Sequence, residues 1–369
     1  MMKVGITGIH GMIGFHLRGF LHGQKGVEVF GAGRSTFASQ AALDEFLSGL
    51  DAVVHLAGMN RGDDAEIEKT NIELASALVA ACQRSRRRPH ILFASSTHVM
   101  RDTAYARSKR EATRIFSEWA AREQAVFTNL ILPHVFGEGG KPFYNSVVST
   151  FCHQLANGDV PVIVNDGDLE LAHSQQVAEK ISALMREPVA GDVRVTGVPM
   201  RVSELLIRLR GFDQLYRGLV MPDVREQIDL YLFNTFRSYL FPGHYPVSLQ
   251  LHQDARGDLF EAVKSLNGGQ CFISTTKPGI TRGNHYHTRK IERFLVLGGK
   301  GLIRIRKLFS DEVAEFEVTG DRPQYVDMPT LHTHNITNIG ESDMTTLFWS
   351  HEIFDPVNPD TFPEPVQRQ

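Results

Sequence analysis

Three histidines and one glutamate have the spacing of metal ligands. His285 and His287 stand two residues apart, so on a β-strand they point to the same side, and Glu292 follows after one short turn. His334, with His332 two residues before it, lies in a later segment and completes a set of four ligands. Such a set suits a divalent metal, and four nitrogen and oxygen ligands favour zinc. The alternative is that the histidines line a polar barrel interior without a metal.

A second group of residues has the composition of a proton-transfer site. Tyr105 and Lys109 stand four residues apart at the start of a helical pattern that runs to about Ala120, so they share one face of the helix. Because a nearby ammonium group favours the phenolate, we expect Lys109 to lower the pKa of Tyr105 from its ordinary value of about 10. Residues 95–97, Ser-Ser-Thr, follow a predicted strand and place hydroxyl groups at the carboxyl end of the sheet, where ligands bind.

A glycine-rich turn follows the first predicted strand, Lys3–Thr7. Gly8, Gly11 and Gly14 allow a sharp turn, a close approach of backbone N–H groups to a pyrophosphate, and tight packing of the next helix. An acidic residue after the second strand would bind the ribose hydroxyl of NAD, but the chain has Arg34 there, which suits the 2′-phosphate of NADPH. The alternative is that Arg34 is an ordinary exposed cation.

The elements around these residues predict two domains. Up to about residue 240, predicted strands alternate with helical patterns, which is typical of an α/β Rossmann-type, doubly wound parallel sheet. The prolines in Phe241-Pro242-Gly243 and Tyr245-Pro246 interrupt the last helical pattern, and strands dominate beyond them. We therefore predict a nucleotide-binding domain over residues 1–243 and an all-β barrel over residues 244–369.

Composition narrows the possible functions. The chain has 369 residues, 42% of them hydrophobic, which is sufficient for two cores. Its net charge is −3 with scattered basic residues, so nothing favours nucleic acid or an acidic membrane surface. The three cysteines have no paired spacing, and the sequence shows neither a signal peptide nor a membrane span. We expect a cytoplasmic protein.

The N-terminal motifs resemble those of the extended short-chain dehydrogenase/reductase family. The matching residues, in the family's order, are the TGxxGxxG turn, Asp51 to Gly58 (DAVVHLAG), Asn71, Ser95-Ser96, and Tyr105 to Lys109. The resemblance implies that Asp51 lies by the adenine, Ser96 binds the substrate carbonyl, Tyr105 protonates it, and Lys109 also holds the nicotinamide ribose. The interval from Ser96 to Tyr105 is shorter than is usual, which leaves the choice among residues 95–97 open. Residues 174–176, Ser-Gln-Gln, replace a common Val-Asp-Asp sequence.

Residues 133–156 resemble the substrate-side loop and helix of family members that act on sugar nucleotides. In this segment Asn145 can hydrogen-bond a sugar or phosphate, and Phe143 and Tyr144 offer ring surfaces. The alternative is a helix N-terminal turn that is capped by polar side chains.

The C-terminal motifs resemble those of the cupins, which are jelly-roll barrels. The spacing from Gly279 to Gly299 matches the first cupin motif at every position, while Leu331 stands where the second motif usually has glycine. Two arginine-glycine pairs resemble the RmlC-like deoxysugar epimerases. That resemblance implies that Arg256 and Arg282 bind nucleotide phosphate and that His285 acts as a base, a role it cannot readily combine with metal ligation.

The pairing of these two domains resembles the bifunctional CapF-type enzymes of capsule and O-antigen synthesis, over essentially the whole chain. It implies that the cupin epimerises a UDP-2-acetamido-2,6-dideoxy-hexos-4-ulose at C3. The reductase domain would then reduce C4 with NADPH, giving UDP-2-acetamido-2,6-dideoxy-L-talose on the route to UDP-N-acetyl-L-fucosamine. A homodimer through the cupin is also expected. Two alternatives are a monofunctional reductase with a structural, dimerising cupin and a non-enzymatic nucleotide or sugar sensor.

Overall fold

The first part of the chain alternates strands and helices as predicted. A computed structural model describes residues 1–255 and 257–367. The elements that begin before residue 202 are, in chain order, β1 (Met2–Thr7), α1 (Met12–His22), β2 (Val27–Ala32), α2 (Arg34–Phe37), α3 (Gln40–Leu47), β3 (Ala52–His55), α4 (Asp64–Ser85), β4 (His90–Ser96), a 3-10 helix (Thr97–Met100), α5 (Ala104–Glu123), β5 (Phe127–Leu132), β6 (His134–Phe136), α6 (Val147–Ala156), β7 (Asp168–His173), α7 (Ser174–Arg186), β8 (Gly191–Arg194) and β9 (Val198–Arg201).

Six of these strands form one parallel sheet in the order β2-β1-β3-β4-β5-β8. Strands β6, β7 and β9 form a small separate sheet. The strand order reverses between β1 and β3, and ligands of such sheets bind at the carboxyl ends of the strands beside this point. The glycine turn after β1 and the residues after β4 therefore lie at the same edge of the sheet.

Hydrophobic cores cover both faces of the parallel sheet because successive strand residues point to opposite faces. On one face, Val4 and Ile6 pack with Leu17 of α1 and Ile181 of α7. The other face buries Val53 and its neighbours against α3, α4 and α5. Helices thus cover both sides, which confirms the predicted doubly wound α/β fold.

The rest of the chain is mainly antiparallel. Its elements are α8 (Val202–Arg217), β10 (Val220–Met221), α9 (Gln227–Leu240), β11 (Val247–Ser248), β12 (His252–Asp254), β13 (Gly257–Leu259), β14 (Lys264–Ser265), β15 (Gln270–Thr276), β16 (Thr281–Tyr286), β17 (Glu292–Gly298), β18 (Lys300–Lys307), β19 (Val313–Thr319), β20 (Gln324–Met328), β21 (His332–Asn338), β22 (Met344–Ser350) and β23 (Phe362–Pro363). Two five-stranded sheets, β11-β20-β17-β22-β15 and β19-β18-β21-β16-β23, share one core. This confirms the predicted all-β second fold.

Packing divides the chain into two compact units that are not single segments. The first comprises Met1–Val147 and Asn165–Val202, and the second comprises Val148–Val164 and the chain from Ser203 onward. The helices α8 and α9 therefore pack with the strand-rich part, whereas the predicted boundary at residue 243 assigns them to the first domain.

A buried polar network explains why α8 belongs to the second unit. The hydroxyl of Tyr216 on α8 donates to Asp327 Oδ2 of β20 at 2.6 Å. Arg293 of β17 donates to both oxygens of the same carboxylate, at 2.7 and 2.9 Å. Because a buried carboxylate must be paired, this network ties the helix to the sheet.

None of the helices in the described residues is long and apolar enough to cross a bilayer.

Candidate active sites

The turn between β1 and α1 is closely packed and requires glycine. Gly8 has a φ of +71°, and a Cβ there would lie 2.8 Å from the backbone nitrogen of Ala57. A Cβ on Gly14 would lie 2.4 Å from the carbonyl oxygen of Gly8, so α1 packs directly on the turn. Gly11 precedes α1, whose N-terminal N–H groups favour an anion. The turn therefore fits the pyrophosphate of a nicotinamide dinucleotide.

Tyr105 and Lys109 lie on the first turns of α5, near the carboxyl end of β4. Lys109 Nζ donates to the carbonyl oxygen of Ala94 at 2.6 Å and lies 5.5 Å from the centre of the Tyr105 ring. Burial lowers the pKa of Lys109 to about 8 and raises the pKa of Tyr105 to about 12. The expected lowering of the Tyr105 pKa is wrong for this geometry, because loss of water around the phenol outweighs the cation. Tyr105 keeps its proton at neutral pH and can donate it.

The hydroxyl residues after β4 differ in exposure. Ser95 is buried, whereas Ser96 and Thr97 are partly exposed. Ser96 Oγ accepts the backbone N–H of His98 at 3.1 Å and so caps the short 3-10 helix. Exposure favours Ser96 or Thr97 over Ser95 for contact with a substrate, and the choice of Ser96 stays a prediction.

Arg34 lies where a 2′-phosphate group would be expected. It begins α2 directly after β2 and is exposed. Strand β2 pairs with β1 up to Ala32 and Thr7, so Arg34 is at the same edge of the sheet as the glycine turn. The predicted role of Arg34 is compatible with this position.

Asp51 lies at the opposite edge of the sheet. It precedes β3, and its Oδ2 accepts the backbone N–H of Lys3 at 2.7 Å, near the amino end of β1. Four residue pairs of the β1–β3 ladder separate this end from the glycine turn. The placement argues against the predicted contact between Asp51 and adenine. Its carboxylate instead connects the beginnings of two neighbouring strands.

The segment that contains Asn145 is held by a residue that the sequence analysis missed. Arg61 Nη1 donates to the carbonyl oxygens of Phe143 and Tyr144 at 2.6 and 3.0 Å. Asn145 Nδ2 lies 3.5 Å from the carbonyl oxygen of Asn60. Nothing in the spacing of Arg61 predicts this role, because 82 residues separate it from Phe143.

Asn71 connects the same loop to α5. Its Oδ1 accepts the backbone N–H of Met59 at 2.6 Å, and its Nδ2 donates to Ser108 Oγ at 2.9 Å. The loop around Arg61 is thereby attached to the helix that carries Tyr105. The structure thus brings Tyr105, Lys109 and the Asn145 segment into one connected framework.

The four predicted metal ligands converge in the second unit. Their ligand atoms all lie within 4.8 Å of one another. Glu292 Oε2 lies 3.1 Å from Nε2 of His287, 3.6 Å from that of His334 and 3.7 Å from that of His285. Ligands about 2.05 Å from a tetrahedral ion stand about 3.3 Å apart, so these three distances are compatible with a divalent ion such as zinc. His285 Nε2 faces the same centre as the other three groups, and its role as a ligand stays a prediction.

Backbone carbonyl groups orient two of the ligand rings. His287 Nδ1 lies 2.6 Å from the carbonyl oxygen of Asp360, and His334 Nδ1 lies 3.2 Å from that of His332. Because a carbonyl oxygen only accepts, each Nδ1 carries the proton and each Nε2 keeps a lone pair. The three Nε2 atoms are buried and have no hydrogen-bond partner within the described residues. These residues therefore fit a divalent cation.

The charges within the predicted ligand set depend on Glu292. Burial opposes ionisation of Glu292, but the neighbouring His287 and the other two imidazoles hold its pKa well below the usual value. Burial lowers the pKa of His334 to about 4, so this ring is neutral near pH 7. For His287, burial is outweighed by Glu292 and Asp360, which raise its pKa.

Leu331 adopts the conformation of the glycine that it replaces. Its φ is +58°, in the left-handed region that glycine enters freely and leucine rarely enters. The backbone N–H of Leu331 donates to the carbonyl oxygen of His287 at 2.7 Å. This contact joins the two ligand-bearing segments, so the motif's backbone geometry is retained despite the substitution.

The structure describes one of the two arginines that are predicted to bind phosphate. Arg282 lies on β16, and its side chain donates to Thr276 Oγ1 at 2.9 Å and to the carbonyl oxygen of Thr275 at 3.0 Å. It is exposed and remains able to reach a ligand. Arg256 lies outside the described residues.

A cavity opens beside the ligand set. It has a volume of ≈ 280 Å³. Its walls include two metal ligands, a lysine and two phenylalanines, and the lining residues are Gln270, Phe272, His285, Lys290, Glu292, Ser350, Glu352, Phe354 and Thr361. A small polar ligand can therefore approach the centre.

Each of the two parts of the chain matches a known protein family. Residues 4–196 match the NAD dependent epimerase/dehydratase family, and residues 252–362 match the Polysaccharide biosynthesis C-terminal domain.

Known proteins resemble the chain over nearly its full length. It is 32% identical over 370 residues to the UDP-2-acetamido-2,6-beta-L-arabino-hexul-4-ose reductase of Pseudomonas aeruginosa, covering 98% of each chain. Its fold is similar to that in the crystal structure of the capsular polysaccharide assembling protein CapF from Staphylococcus aureus, with a TM-score of 0.65. The sequences of these two proteins are 32% identical, and the match covers 99% of this chain and 100% of that one. The structure of RMD from Pseudomonas aeruginosa complexed with NADPH shares the fold, with a TM-score of 0.54 and 20% identity over 58% of this chain and 83% of that one.

Proposed function

Because the chain belongs to the NAD dependent epimerase/dehydratase family, we propose that it is a bifunctional CapF-type enzyme that epimerises and then reduces a UDP-linked 4-keto sugar. The substrate would be a UDP-2-acetamido-2,6-dideoxy-hexos-4-ulose, and the product UDP-2-acetamido-2,6-dideoxy-L-talose. The observation that carries the proposal is that one chain holds a Tyr105–Lys109 pair beside a dinucleotide turn and a separate set of metal ligands. The names of the relatives support the choice of substrate.

The first unit would carry out the reduction. Gly8, Gly11, Gly14 and Arg34 would hold NADPH, which when bound would supply the hydride for C4. Tyr105 donates its phenolic proton to the C4 oxygen, and Ser96 hydrogen-bonds the same oxygen. Lys109 also binds the nicotinamide ribose. The raised pKa of Tyr105 supports the donor role, since the phenol is protonated before the reaction.

Substrate binding in this unit is assigned to the segment at Asn145. Its side chain would hydrogen-bond the sugar or phosphate, with the rings of Phe143 and Tyr144 beside it. Both rings are exposed, and Arg61 holds their backbone. This arrangement supports a binding surface rather than a core contact.

The second unit would epimerise the substrate at C3. His285, His287, Glu292 and His334 would hold zinc, which when bound would supply a Lewis acid to polarise the C4 ketone. The ketone acidifies the C3 proton, so a base can remove it and the enolate can be protonated on the other face. Arg282 and Arg256 are proposed to bind the nucleotide phosphates. Reduction removes the ketone, so epimerisation must come first, and the downhill hydride transfer draws it forward.

A monofunctional reductase with a structural, dimerising barrel is the second candidate. Strand β15 is an edge strand of its sheet and exposes Phe272 and Ile273, with 43% and 62% of their surfaces accessible. Because exposed apolar edges favour pairing with another chain, a homodimer through this unit is proposed under both candidates. A cytoplasmic location is also proposed, on the unpaired spacing of the cysteines.

The Tyr105→Phe variant tests the proposal. The substrate would be incubated with the full-length protein in D₂O, with and without NADPH. Loss of the phenol should lower NADPH consumption at least about 100-fold, while deuterium incorporation at C3, measured by NMR, continues at the wild-type rate. No exchange in either protein would favour the monofunctional reductase. Loss of both activities in the variant would contradict separate sites.

A further inference from the structure

A buried polar cluster in the first unit is not used by the proposed chemistry. His16 lies on α1, Glu138 follows β6, and His173 ends β7; they are 1%, 4% and 0% exposed. His173 Nε2 lies 2.8 Å from Glu138 Oε2. His16 Nε2 lies 3.0 Å from the carbonyl oxygen of Glu138 and 3.5 Å from its Oε2. We call these three residues the Glu138 cluster.

The proton positions in this cluster favour hydrogen bonds over metal ligation. His173 Nδ1 accepts the backbone N–H of Gln175 at 3.2 Å, so in the neutral ring the proton is on Nε2. That proton points at the Glu138 carboxylate. A nitrogen that carries a proton has no lone pair for a metal, so His173 is a hydrogen-bond donor here.

The cluster depends on the glycine that precedes Glu138. A Cβ on Gly137 would lie 3.1 Å from each of His16 Nε2, His173 Nε2 and Ser174 Oγ. The φ of Gly137 is +157°, which also disfavours a larger residue. Glycine therefore lets α1, α7 and the segment after β6 approach one another around the carboxylate.

The cluster forms one end of the predicted substrate segment. The backbone N–H of Gly140 donates to the carbonyl oxygen of Gly137 at 3.2 Å, so the chain turns directly after Glu138 and continues to Phe143. At the other end, Arg61 binds the carbonyl groups of Phe143 and Tyr144. The segment from 137 to 145 is thus fixed at both ends, by an exposed arginine and by a buried carboxylate.

We propose that Glu138 is a positioning residue for the sugar-nucleotide segment, with His16 and His173 holding its carboxyl group and backbone. Gln176, the last residue of the Ser-Gln-Gln sequence at 174–176, supports the same cluster. Its Oε1 accepts the backbone N–H of His173 at 2.9 Å and completes a capping box of α7. The idea rests on the proposed function in assigning a sugar nucleotide to the segment.

Kinetics of full-length variants test the proposal. Glu138→Ala removes the acceptor for His173, so we expect KM for the sugar nucleotide to rise about tenfold, the effect of one charge-assisted hydrogen bond, with KM for NADPH changed less than about twofold. Glu138→Gln keeps an acceptor oxygen and should recover most of the affinity. His90→Asn, a buried substitution at the amino end of β4 in the six-stranded sheet, should leave both KM values unchanged. Equal rises in both KM values, or no recovery with glutamine, would overturn the proposal.

Two further measurements keep this result separate from the proposed function. Hydrogen–deuterium exchange needs no substrate, and Glu138→Ala should raise exchange in peptides that cover residues 141–146, whereas Glu138→Gln should not; unchanged exchange in both would contradict the positioning role. Elemental analysis should find the same zinc content in the wild type and Glu138→Ala. Loss of one equivalent of metal in this variant would show a metal site instead. Failure of the wild type to reduce the UDP-keto sugar would refute only the proposed function.

Discussion

Two groups of histidine and glutamate in this protein have similar compositions but opposite chemistry. In the second unit, Nδ1 of His287 and of His334 faces a carbonyl oxygen. In the Glu138 cluster, Nδ1 of His173 faces a backbone N–H group. The first arrangement leaves a lone pair on Nε2, and the second leaves a proton there.

The comparison shows that ligand residue types alone do not specify a metal site. Both groups are largely buried, and both contain a carboxylate within about 3.1 Å of an imidazole nitrogen. The backbone group that faces Nδ1 selects the tautomer of the imidazole. The tautomer then decides whether Nε2 can be a metal ligand or a hydrogen-bond donor. Substitutions in the two groups and at a third buried histidine should therefore change zinc binding and stability by different amounts.

The largest effect is expected for His334→Ala. Removing one of four converging ligands should lower the zinc content from about one ion per chain to below about a tenth, since structural affinity depends on the complete set. Exchange at C3 should fall at least about 100-fold if zinc polarises the ketone. Elemental analysis and NMR measure the two quantities.

His332→Ala is the matched control for this variant. His332 lies on the same strand, and its carbonyl oxygen, which the substitution retains, accepts from His334 Nδ1. The control should keep its zinc. Equal loss of zinc in both variants would show that the strand, and not the ligand, was disturbed.

A smaller effect is expected when only the support of the ligands is changed. The Asp360 carboxylate accepts the backbone N–H groups of Thr288, Arg289 and Lys290, at 2.8 to 3.2 Å, directly after His287. Asp360→Asn keeps a residue that tolerates the φ of +43° but removes one acceptor oxygen. Zinc affinity should fall about 10- to 100-fold, as measured by competition with a chelator. The exposed Asp321→Asn should bind zinc like the wild type, and unchanged affinity in Asp360→Asn would show that the turn does not hold His287.

The smallest effect is expected for the pH dependence of stability at His90, a buried histidine that contacts a hydroxyl group. Burial lowers the pKa of His90 to about 4, and its Nε2 lies 2.7 Å from Thr128 Oγ1. As pH falls below the unfolded pKa of about 6.5, the unfolded state takes up the proton first, so stability decreases toward pH 4. Between about pH 7.5 and 5.5 the advantage of the wild type over His90→Asn should shrink by about 1 kcal/mol.

Urea unfolding at both pH values measures this change. A constant difference between the wild type and His90→Asn would mean that His90 titrates alike in the folded and unfolded states.

Local sequence pattern was sufficient for much of this molecule. The alternation of strands and helices, the glycine turn and the period of two in His285 and His287 each depend on residues close in the chain, and the two folds and the ligand set followed from them. Local geometry couples such residues directly, since a strand or helix sets which side chains share a face.

Only the tertiary structure decided the features that depend on distant partners. Ladder pairing with β1 placed Asp51 at the edge away from the glycine turn. Burial, which no local pattern reports, raised the pKa of Tyr105 against the expected effect of Lys109. The Glu138 cluster joins residues that are 122 and 35 positions apart. Solvent exclusion and hydrogen bonding act through space, so the proton positions of these groups are determined by the folded chain and not by spacing.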